Sequence, residues 1–301
     1  MIPTFQPSLD RLYQTVLMLT QRPPTYLDPV GQAQVVDYLQ SELSASGFSS
    51  LQTQPFLGQG VEYKNVLAKI NAVGRSRLVL GAHYDAAAGT PGADDNASAV
   101  AGLLEVARLL RPYVDQLSNL ELAFYSGEEP PFFATPSMGS YIHAQSLSSD
   151  QIQAEAIILE MIGYFSSEEG SQNYPRPEME LSYPAAGDFI ALVANPPSRR
   201  LLQAVELSLS QAQLKVGVES LVAPPQRPGV DLSDHRCYWQ FDYPAIMVTD
   251  TAFMRNPNYH QPTDTIETLD FEKMGQVVSG LCRAVFQRCA ASPEPARAEA
   301  G

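Results

Sequence analysis

The chain has 301 residues, 45% of them hydrophobic, so it can bury a large core and does not have the composition of a disordered protein. It carries 33 acidic and 19 basic residues, a net charge of −14, and contains no long run of lysine or arginine. This charge argues against nucleic acid or an anionic membrane as a partner and mildly favours cationic ligands.

The start of the chain does not look like a targeting segment. It lacks a basic region followed by a sustained apolar stretch, and no later segment has the length of a membrane span. We therefore expect a cytoplasmic protein without a membrane partner. A secreted form with an upstream signal stays open as the alternative.

Helical and strand patterns alternate along the chain. Residues 31–48 have apolar side chains on one helical face, with Gly47 as a helix stop. Four later segments are short, apolar and bounded by turn residues, as expected of strands buried on both faces. These segments are 77–83, 120–127, 156–163 and 243–250. Further helical patterns cover 97–110, 138–147 and 271–287. The alternation predicts an α/β fold with a largely parallel central sheet.

Residues 164–235 have a different composition, rich in proline, serine and glycine apart from a helical pattern over 198–213. We expect long loops here that cross the carboxyl edge of the sheet, where such insertions commonly build binding sites. The chain is predicted to form a single domain over residues 1–290. The tail, residues 291–301, is predicted to be disordered.

Polar side chains follow the predicted strands at the point where each one ends. His83 ends the first strand, two glutamates follow the second, and Glu160 lies near the end of the third. An Asp-Asp pair precedes the helix after the first strand, and His260 lies in a loop after the fourth. In open α/β sheets, ligands bind beyond the carboxyl ends of the strands. Two imidazoles and several carboxylates at one edge suit Zn²⁺ or a similar divalent cation.

Each of these residues also has a simpler explanation. A single histidine at a strand end is commonly structural, an Asp-Asp-Asn sequence before a helix is often an N-cap, and Glu160 could pair with an arginine. The combination favours a metal site, because independent placements converge on one edge of the predicted sheet. The residues concerned are His83, Asp94, Asp95, Glu128, Glu129, Glu160 and His260.

Six short motifs contain these residues and stand in a fixed order. They are HYD at 83–85, GADDNASAV at 92–100, SGEEP at 126–130, LEMIG at 159–163, SDH at 233–235 and YHQPTDT at 259–265. In this order they resemble the M28 family of zinc aminopeptidases, bacterial members in particular, over residues 30–285. The resemblance implies a phosphorylase/hydrolase-like three-layer sandwich with a mixed, largely parallel central sheet. It also implies two co-catalytic zinc ions in each chain.

The same resemblance implies a set of zinc ligands. The implied ligands are His83, Asp95, Glu129, Glu160 and His260. Asp95 would bridge the two ions, with His83 and Glu160 on one side and Glu129 and His260 on the other. Glu160 stands where many relatives have aspartate, and the longer side chain keeps the same donor group.

Further roles follow from the resemblance. Glu128 is the implied general base, Asp85 the carboxylate that fixes the imidazole two residues before it, and Tyr259 a contact to the substrate carbonyl. The implied reaction removes N-terminal residues from peptides with a free N-terminus, by attack of a hydroxide that bridges the metals. Members of the family have a cis peptide after the bridging aspartate, so we expect one at Asp95–Asn96.

Two rival functions stay open. A glutaminyl cyclase, an acyltransferase with one zinc ion, keeps most of the same ligand positions but relies on tryptophans around its pocket, including one before the last ligand histidine. This chain has Tyr259 there and one tryptophan overall, which favours hydrolysis. A binding domain that has lost its metals ranks last, because every implied ligand position carries a competent donor. Neither the preferred N-terminal residue nor the oligomeric state is predicted.

Four residues near these motifs have less definite roles. Asp234 and His235 are interpreted either as supports for the metal ligands or as structural residues. Arg255 is either a substrate contact or a partner in an ion pair. His143 has no acidic neighbours in the sequence and is expected to be structural.

Overall fold

The computed structural model describes residues 2–48, 50–72, 74–212 and 214–290, and the predicted tail at 291–301 lies outside this part. The strands are β1 (Ser50–Gly58), β2 (Val61–Ile70), β3 (Ser76–His83), β4 (Leu120–Tyr125), β5 (Gln153–Glu160), β6 (Phe189–Ala194), β7 (Gly217–Val222) and β8 (Ala245–Thr249). The α-helices are α1 (Leu9–Gln21), α2 (Pro29–Ala45), α3 (Ala99–Leu110), α4 (Gly139–Ser149), α5 (Arg199–Gln211), α6 (His235–Trp239) and α7 (Phe271–Cys289). These strands form one sheet in the spatial order β1-β2-β4-β3-β5-β8-β6-β7.

Four parallel strands form the centre of the sheet, as the sequence predicts. β3 pairs with β4 on one side and with β5 on the other, and β8 lies next to β5. Their side chains are mostly buried, because helices cover both faces. β5 ends at Glu160 rather than at the predicted residue 163, since the chain turns at Met161, whose φ is 49°.

The outer strands are the part of the sheet that the prediction missed. β1 and β2 form an antiparallel hairpin that joins β4, and β6 runs antiparallel to β8 and parallel to β7. Residues 164–235, expected to be loops around one helix, therefore contain β6 and β7 as well as α5. The side chains of β7 are only partly buried, because this strand lies at the edge, so its hydrophobic pattern is weak. The loops around this unit cover 161–188 and 223–234.

Helices cover the sheet on both faces, which confirms the three-layer α/β sandwich. The larger apolar core lies between one face and helices α1, α2, α3, α5 and α7, and a smaller core lies under α4 and α6. Alternation along β3 sends Leu78 and Leu80 to the larger core and Val79 to the smaller one. None of the described helices combines the length and the apolar character needed to cross a membrane.

Candidate metal centre

His83 and Glu160 end two neighbouring parallel strands. β3 and β5 are in register at Gly81 and Ile158, and side chains alternate between the two faces of a sheet. His83 and Glu160, each two residues further on, therefore lie on the same face. Nε2 of His83 is 3.2 Å from Oε2 of Glu160, and both side chains are buried.

Asp95 reaches the same place from a tight turn before α3. A kinked turn begins after Gly92, whose φ is 70°, and a Cβ atom at Gly92 would lie 2.7 Å from the carbonyl oxygen of Asp95. The peptide between Asp95 and Asn96 is cis, as expected from the resemblance. The carboxylate of Asp264 accepts hydrogen bonds from the amides of Asp94 at 2.9 Å and Asp95 at 3.2 Å. The turn is thus fixed at its start by a residue far away in the sequence.

The two carboxylate oxygens of Asp95 face different histidines. Oδ1 lies 3.5 Å from Nε2 of His83, and Oδ2 lies 3.1 Å from Nε2 of His260. Oε2 of Glu129 is 3.3 Å from the same nitrogen of His260. Two groups of possible metal ligands result, His83/Asp95/Glu160 and Asp95/Glu129/His260, and the donor atoms of each group lie within 4.8 Å of one another. A carboxylate shared by two donor groups is the arrangement expected of a bridging ligand.

Asp85 fixes the turn that carries the two glutamates. Its carboxylate accepts hydrogen bonds from the backbone amides of Glu128 at 3.2 Å and Glu129 at 3.1 Å. Nδ1 of His83 donates to the backbone carbonyl of Asp85 at 3.0 Å, whereas the carboxylate oxygen Oδ1 is 3.6 Å away. The carbonyl group of Asp85 therefore orients the ring, where the resemblance implies its carboxylate. With its proton on Nδ1, His83 can offer the lone pair of Nε2 to a metal ion once the proton on Nε2 is displaced.

Glu128 lies beside both donor groups and belongs to neither. Its Oε2 is 3.8 Å from Nε2 of His83, and its side chain is buried. Burial raises the pKa of Glu128 well above its usual value, and the charges of Glu160 and Glu129 add to this effect against the opposing charge of His83. Glu128 is therefore a buried acid beside the two groups of possible metal ligands.

The two groups of possible metal ligands bring several carboxylates close together in a buried part of the protein. Burial and the charge of Asp95 raise the pKa of Glu129 to about 8. Burial by itself lowers the pKa of His260, but the nearby carboxylates of Asp95 and Glu129 raise it to about 10. The pKa of His83 is also raised, because the neighbouring glutamates outweigh the effect of burial. These groups therefore hold protons that a divalent cation would replace.

Three buried atoms of the site have no hydrogen-bond partner within the described residues. They are Nε2 of His83, Nε2 of His260 and Oε1 of Glu129. Buried polar atoms in proteins normally have hydrogen-bond partners. Nitrogen and oxygen atoms that lack such partners in one cluster indicate a site for a bound ligand. Imidazole and carboxylate donors are those of catalytic zinc sites. The residues therefore fit two divalent metal ions.

The SDH segment supports the site. Oγ of Ser233 donates a hydrogen bond to Oε2 of Glu160 at 2.6 Å. Asp234 is fully buried near the cluster, and burial raises its pKa to about 7. His235 is structural, since burial lowers its pKa to about 4 and its Nε2 donates to the carbonyl of Val230. Sequence reasoning missed Ser233 as a site residue, although it begins the SDH motif.

Two other residues considered from the sequence make contacts within the protein. His143 is 2.8 Å from the hydroxyl of Tyr238 and 3.3 Å from Glu121, in a buried network, so its expected structural role fits. Arg255 is buried with its guanidinium 4.3 Å from the centroid of the Phe189 ring, and it donates to the carbonyl of Phe189. These contacts favour a structural role for Arg255 over a substrate contact.

An apolar pocket opens beside Glu160 and Tyr259. The ring of Tyr259 stacks on His260, with centroids 3.9 Å apart and planes at 14°. Part of the pocket wall comes from residues 174–183 and 228–232, within the segment for which site-forming loops were expected. The apolar side chains that line the pocket include Tyr174, Met179, Tyr183, Phe189, Val193 and Met247.

Comparison with known proteins identifies the family. The sequence model of peptidase family M28 matches residues 65–285, and the chain belongs to this family. The Escherichia coli (strain K12) protein YfbL is 42% identical over 291 residues, which cover 93% of this chain and 88% of that protein. Relatives named as leucine aminopeptidases are longer: this chain spans 51% of the one from Metarhizium robertsii, at 28% identity over 70% of this chain.

Solved structures share the fold. A leucine aminopeptidase precursor from Bacteroides thetaiotaomicron has a TM-score of 0.72 at 16% identity, with 95% of this chain and 99% of that chain covered. A glutaminyl cyclase from Porphyromonas gingivalis has a TM-score of 0.70 at 19% identity, with 94% and 99% covered. At these identities the likeness shows the fold alone and does not distinguish hydrolysis from cyclisation.

Proposed function

We propose that the protein is an aminopeptidase that depends on two zinc ions and releases the N-terminal residue of peptides. The observation that carries the proposal is the Asp95 carboxylate, which faces His83 with one oxygen and His260 with the other. Membership of a peptidase family supports peptide hydrolysis as the reaction. The pocket beside the centre offers space for the side chain of the first residue.

Five side chains would hold the two ions. They are His83, Asp95, Glu129, Glu160 and His260. When bound, zinc ions polarise a carbonyl group and lower the pKa of a water molecule. The protein keeps the two glutamates in position, because Ser233 donates to Glu160 and Asp85 accepts the amide of Glu129.

Glu128 is assigned the proton transfer. Its side chain is buried outside both donor groups, and Asp85 fixes its backbone amide. Burial holds its pKa above the usual value, so it can take a proton from the attacking water and deliver it to the leaving amine. Burial also raises the pKa of Tyr259, whose hydroxyl therefore keeps its proton and can donate to the substrate carbonyl.

A glutaminyl cyclase is the second candidate, since this fold is shared with one. The single tryptophan argues against it. Nε1 of Trp239 donates to the carbonyl of Ala245 at 3.0 Å, and its ring packs on His235, so this side chain packs against the core and does not line the pocket. Tyr259 occupies the position before the last donor histidine.

The test compares the two reactions on one preparation. Zinc-loaded protein is incubated with aminoacyl 4-nitroanilides and, separately, with a peptide that begins with glutamine. We expect release of 4-nitroaniline, its loss after chelation and its recovery with zinc. His260→Ala is the inactive control, because His260 is the most exposed donor and its removal leaves the core intact. Cyclisation of the glutaminyl peptide without anilide hydrolysis would establish the cyclase instead.

A further inference from the structure

The pocket beside the metal centre contains one acidic side chain that the proposed mechanism does not use. Glu219 and the candidate ligand Glu160 are the charged residues among those that line it. The remaining lining residues are apolar, aromatic or small and hydroxylated. Glu219 lies on the edge strand β7 and is half-buried, so its carboxylate stands at the margin of an otherwise apolar pocket.

The sheet register places these two acids at opposite ends of one row. Glu160 of β5 pairs with Thr249 of β8, which pairs with Ala191 of β6, which pairs with Glu219 of β7. All four residues line the pocket. Neighbouring strands lie about 4.8 Å apart, so the Cα atoms at the two ends are separated by about 14 Å. The floor of the pocket thus runs from the metal centre to Glu219.

The carboxylate of Glu219 is the charged group at the far end of the pocket. No hydrogen bond or ion pair of its carboxylate occurs among the described residues, and burial together with the charge of Glu206 raises its pKa. Arg255, which packs on the ring of the pocket residue Phe189, already has other partners, since it donates to Gln172 and to the carbonyl of Phe189. The far end of the pocket therefore carries uncompensated negative charge.

We propose that this pocket selects peptides whose N-terminal residue has a long cationic side chain, lysine or arginine, and that Glu219 binds the cationic group. The apolar walls would cover the methylene groups of such a side chain. Tyr174 and Tyr183, whose ring centroids are 5.8 Å apart, lie close enough to Glu219 for its charge to raise their pKa. Their rings offer the cation further attraction. The proposal rests on the proposed aminopeptidase function.

The test uses two substrates that differ only in charge. The kcat/KM of the zinc-loaded protein is measured with lysyl and norleucyl 4-nitroanilides, which have side chains of nearly equal length. We expect the lysyl substrate to be preferred and Glu219→Gln to lower the lysyl-to-norleucyl ratio about 10- to 100-fold, as for a lost hydrogen bond to a charged group. Circular dichroism and the zinc content of Glu219→Gln, compared with those of the wild type, show that the variant is folded.

Glu206→Gln is the matched control. Glu206 lies near Glu219, but it does not line the pocket, and its carboxylate accepts a hydrogen bond from the hydroxyl of Ser220 at 2.6 Å. The lysyl-to-norleucyl ratio should therefore be unchanged in this variant. An equal or greater preference for norleucine in the wild type, or an unchanged ratio in Glu219→Gln, would overturn the inference.

Failure of the proposed function gives a different result. In that case neither anilide is hydrolysed, whatever the residue at 219. Calorimetric titration of the metal-loaded protein with L-lysine and with L-norleucine then tests the pocket without turnover. Tighter binding of L-lysine that is lost in Glu219→Gln supports the assignment of Glu219, and equal binding of the two amino acids contradicts it.

Discussion

The carboxylate of Asp85 accepts a hydrogen bond from the backbone amide of Glu129 at 3.1 Å. Its other oxygen accepts the amide of Glu128, so one side chain sets the directions of both glutamates. Asp85→Asn replaces an acceptor by an NH₂ group that faces an N–H donor. We expect the zinc affinity to fall about 10- to 100-fold, as for the loss of other groups that orient metal ligands. Competition with a chromogenic chelator measures this, with the exposed Asp150→Asn as control.

Glu128 and Glu129 should respond differently to the same substitution. Glu128→Gln should keep two zinc ions while kcat falls about 10²- to 10⁴-fold, because a general base is lost and no ligand is. Glu129→Gln should lose metal, since its Oε2 belongs to the second donor group. Elemental analysis and kinetics on both variants check this. Loss of metal from Glu128→Gln with retention in Glu129→Gln would show that the two roles are exchanged.

Gly92 is predicted to be essential for the position of Asp95. An alanine Cβ at Gly92 would meet the Asp95 carbonyl oxygen at 2.7 Å, and φ at this residue is 70°. Gly92→Ala should therefore reduce both zinc affinity and the free energy of unfolding. Gly89 is the matched control, because its φ is 89° and a Cβ atom added there would have no neighbour within 4 Å. Gly89→Ala should cost only about 1–2 kcal/mol of conformational energy. Equal effects of the two substitutions in urea unfolding and metal binding would contradict this account.

Glu121 is predicted to make stability depend on pH. Burial by itself raises its pKa, but the hydrogen bond to His143 and the charges of Lys69 and Arg77 outweigh burial and lower it. The ionised form thus contributes stability that is fully present above the unfolded pKa of about 4.3 and is lost as the pH falls through the folded pKa.

Urea unfolding of wild type and Glu121→Gln at several pH values tests this prediction. At pH 7 we expect a loss of about 3 kcal/mol in the variant, because basic partners are left without their acid. The difference between the two proteins should shrink below pH 4. Glu62→Gln, at an exposed ion pair with Lys64, should change the free energy of unfolding by less than about 1 kcal/mol. A difference that grows as the pH falls would contradict the assignment.

The centre of the fold can be predicted because its strands are short apolar runs that end in polar residues. That rule places His83 and Glu160 at one edge of the sheet. In the structure, Nε2 of His83 lies 3.2 Å from Oε2 of Glu160. β7 is not predicted from the sequence, because an edge strand buries too little of each side chain to give a clear hydrophobic pattern. Glu219 cannot be placed at the pocket from the sequence for the same reason.

Contacts within the site are harder to predict than its members. The hydrogen bond from the Asp95 amide to Asp264 joins residues 169 positions apart, and no local pattern specifies it. The resemblance implies that Asp85 holds the ring of His83 through its carboxylate, yet its carbonyl does so. That difference depends on backbone direction after the end of β3, which residue types alone do not determine.

The central claim is that Asp95 joins two metal sites. Crystals of the zinc-loaded protein, measured on both sides of the zinc absorption edge, test it most directly. We expect two anomalous peaks, one among His83, Asp95 and Glu160 and the other among Asp95, Glu129 and His260. A single peak, or peaks that do not contact Asp95, would contradict the account.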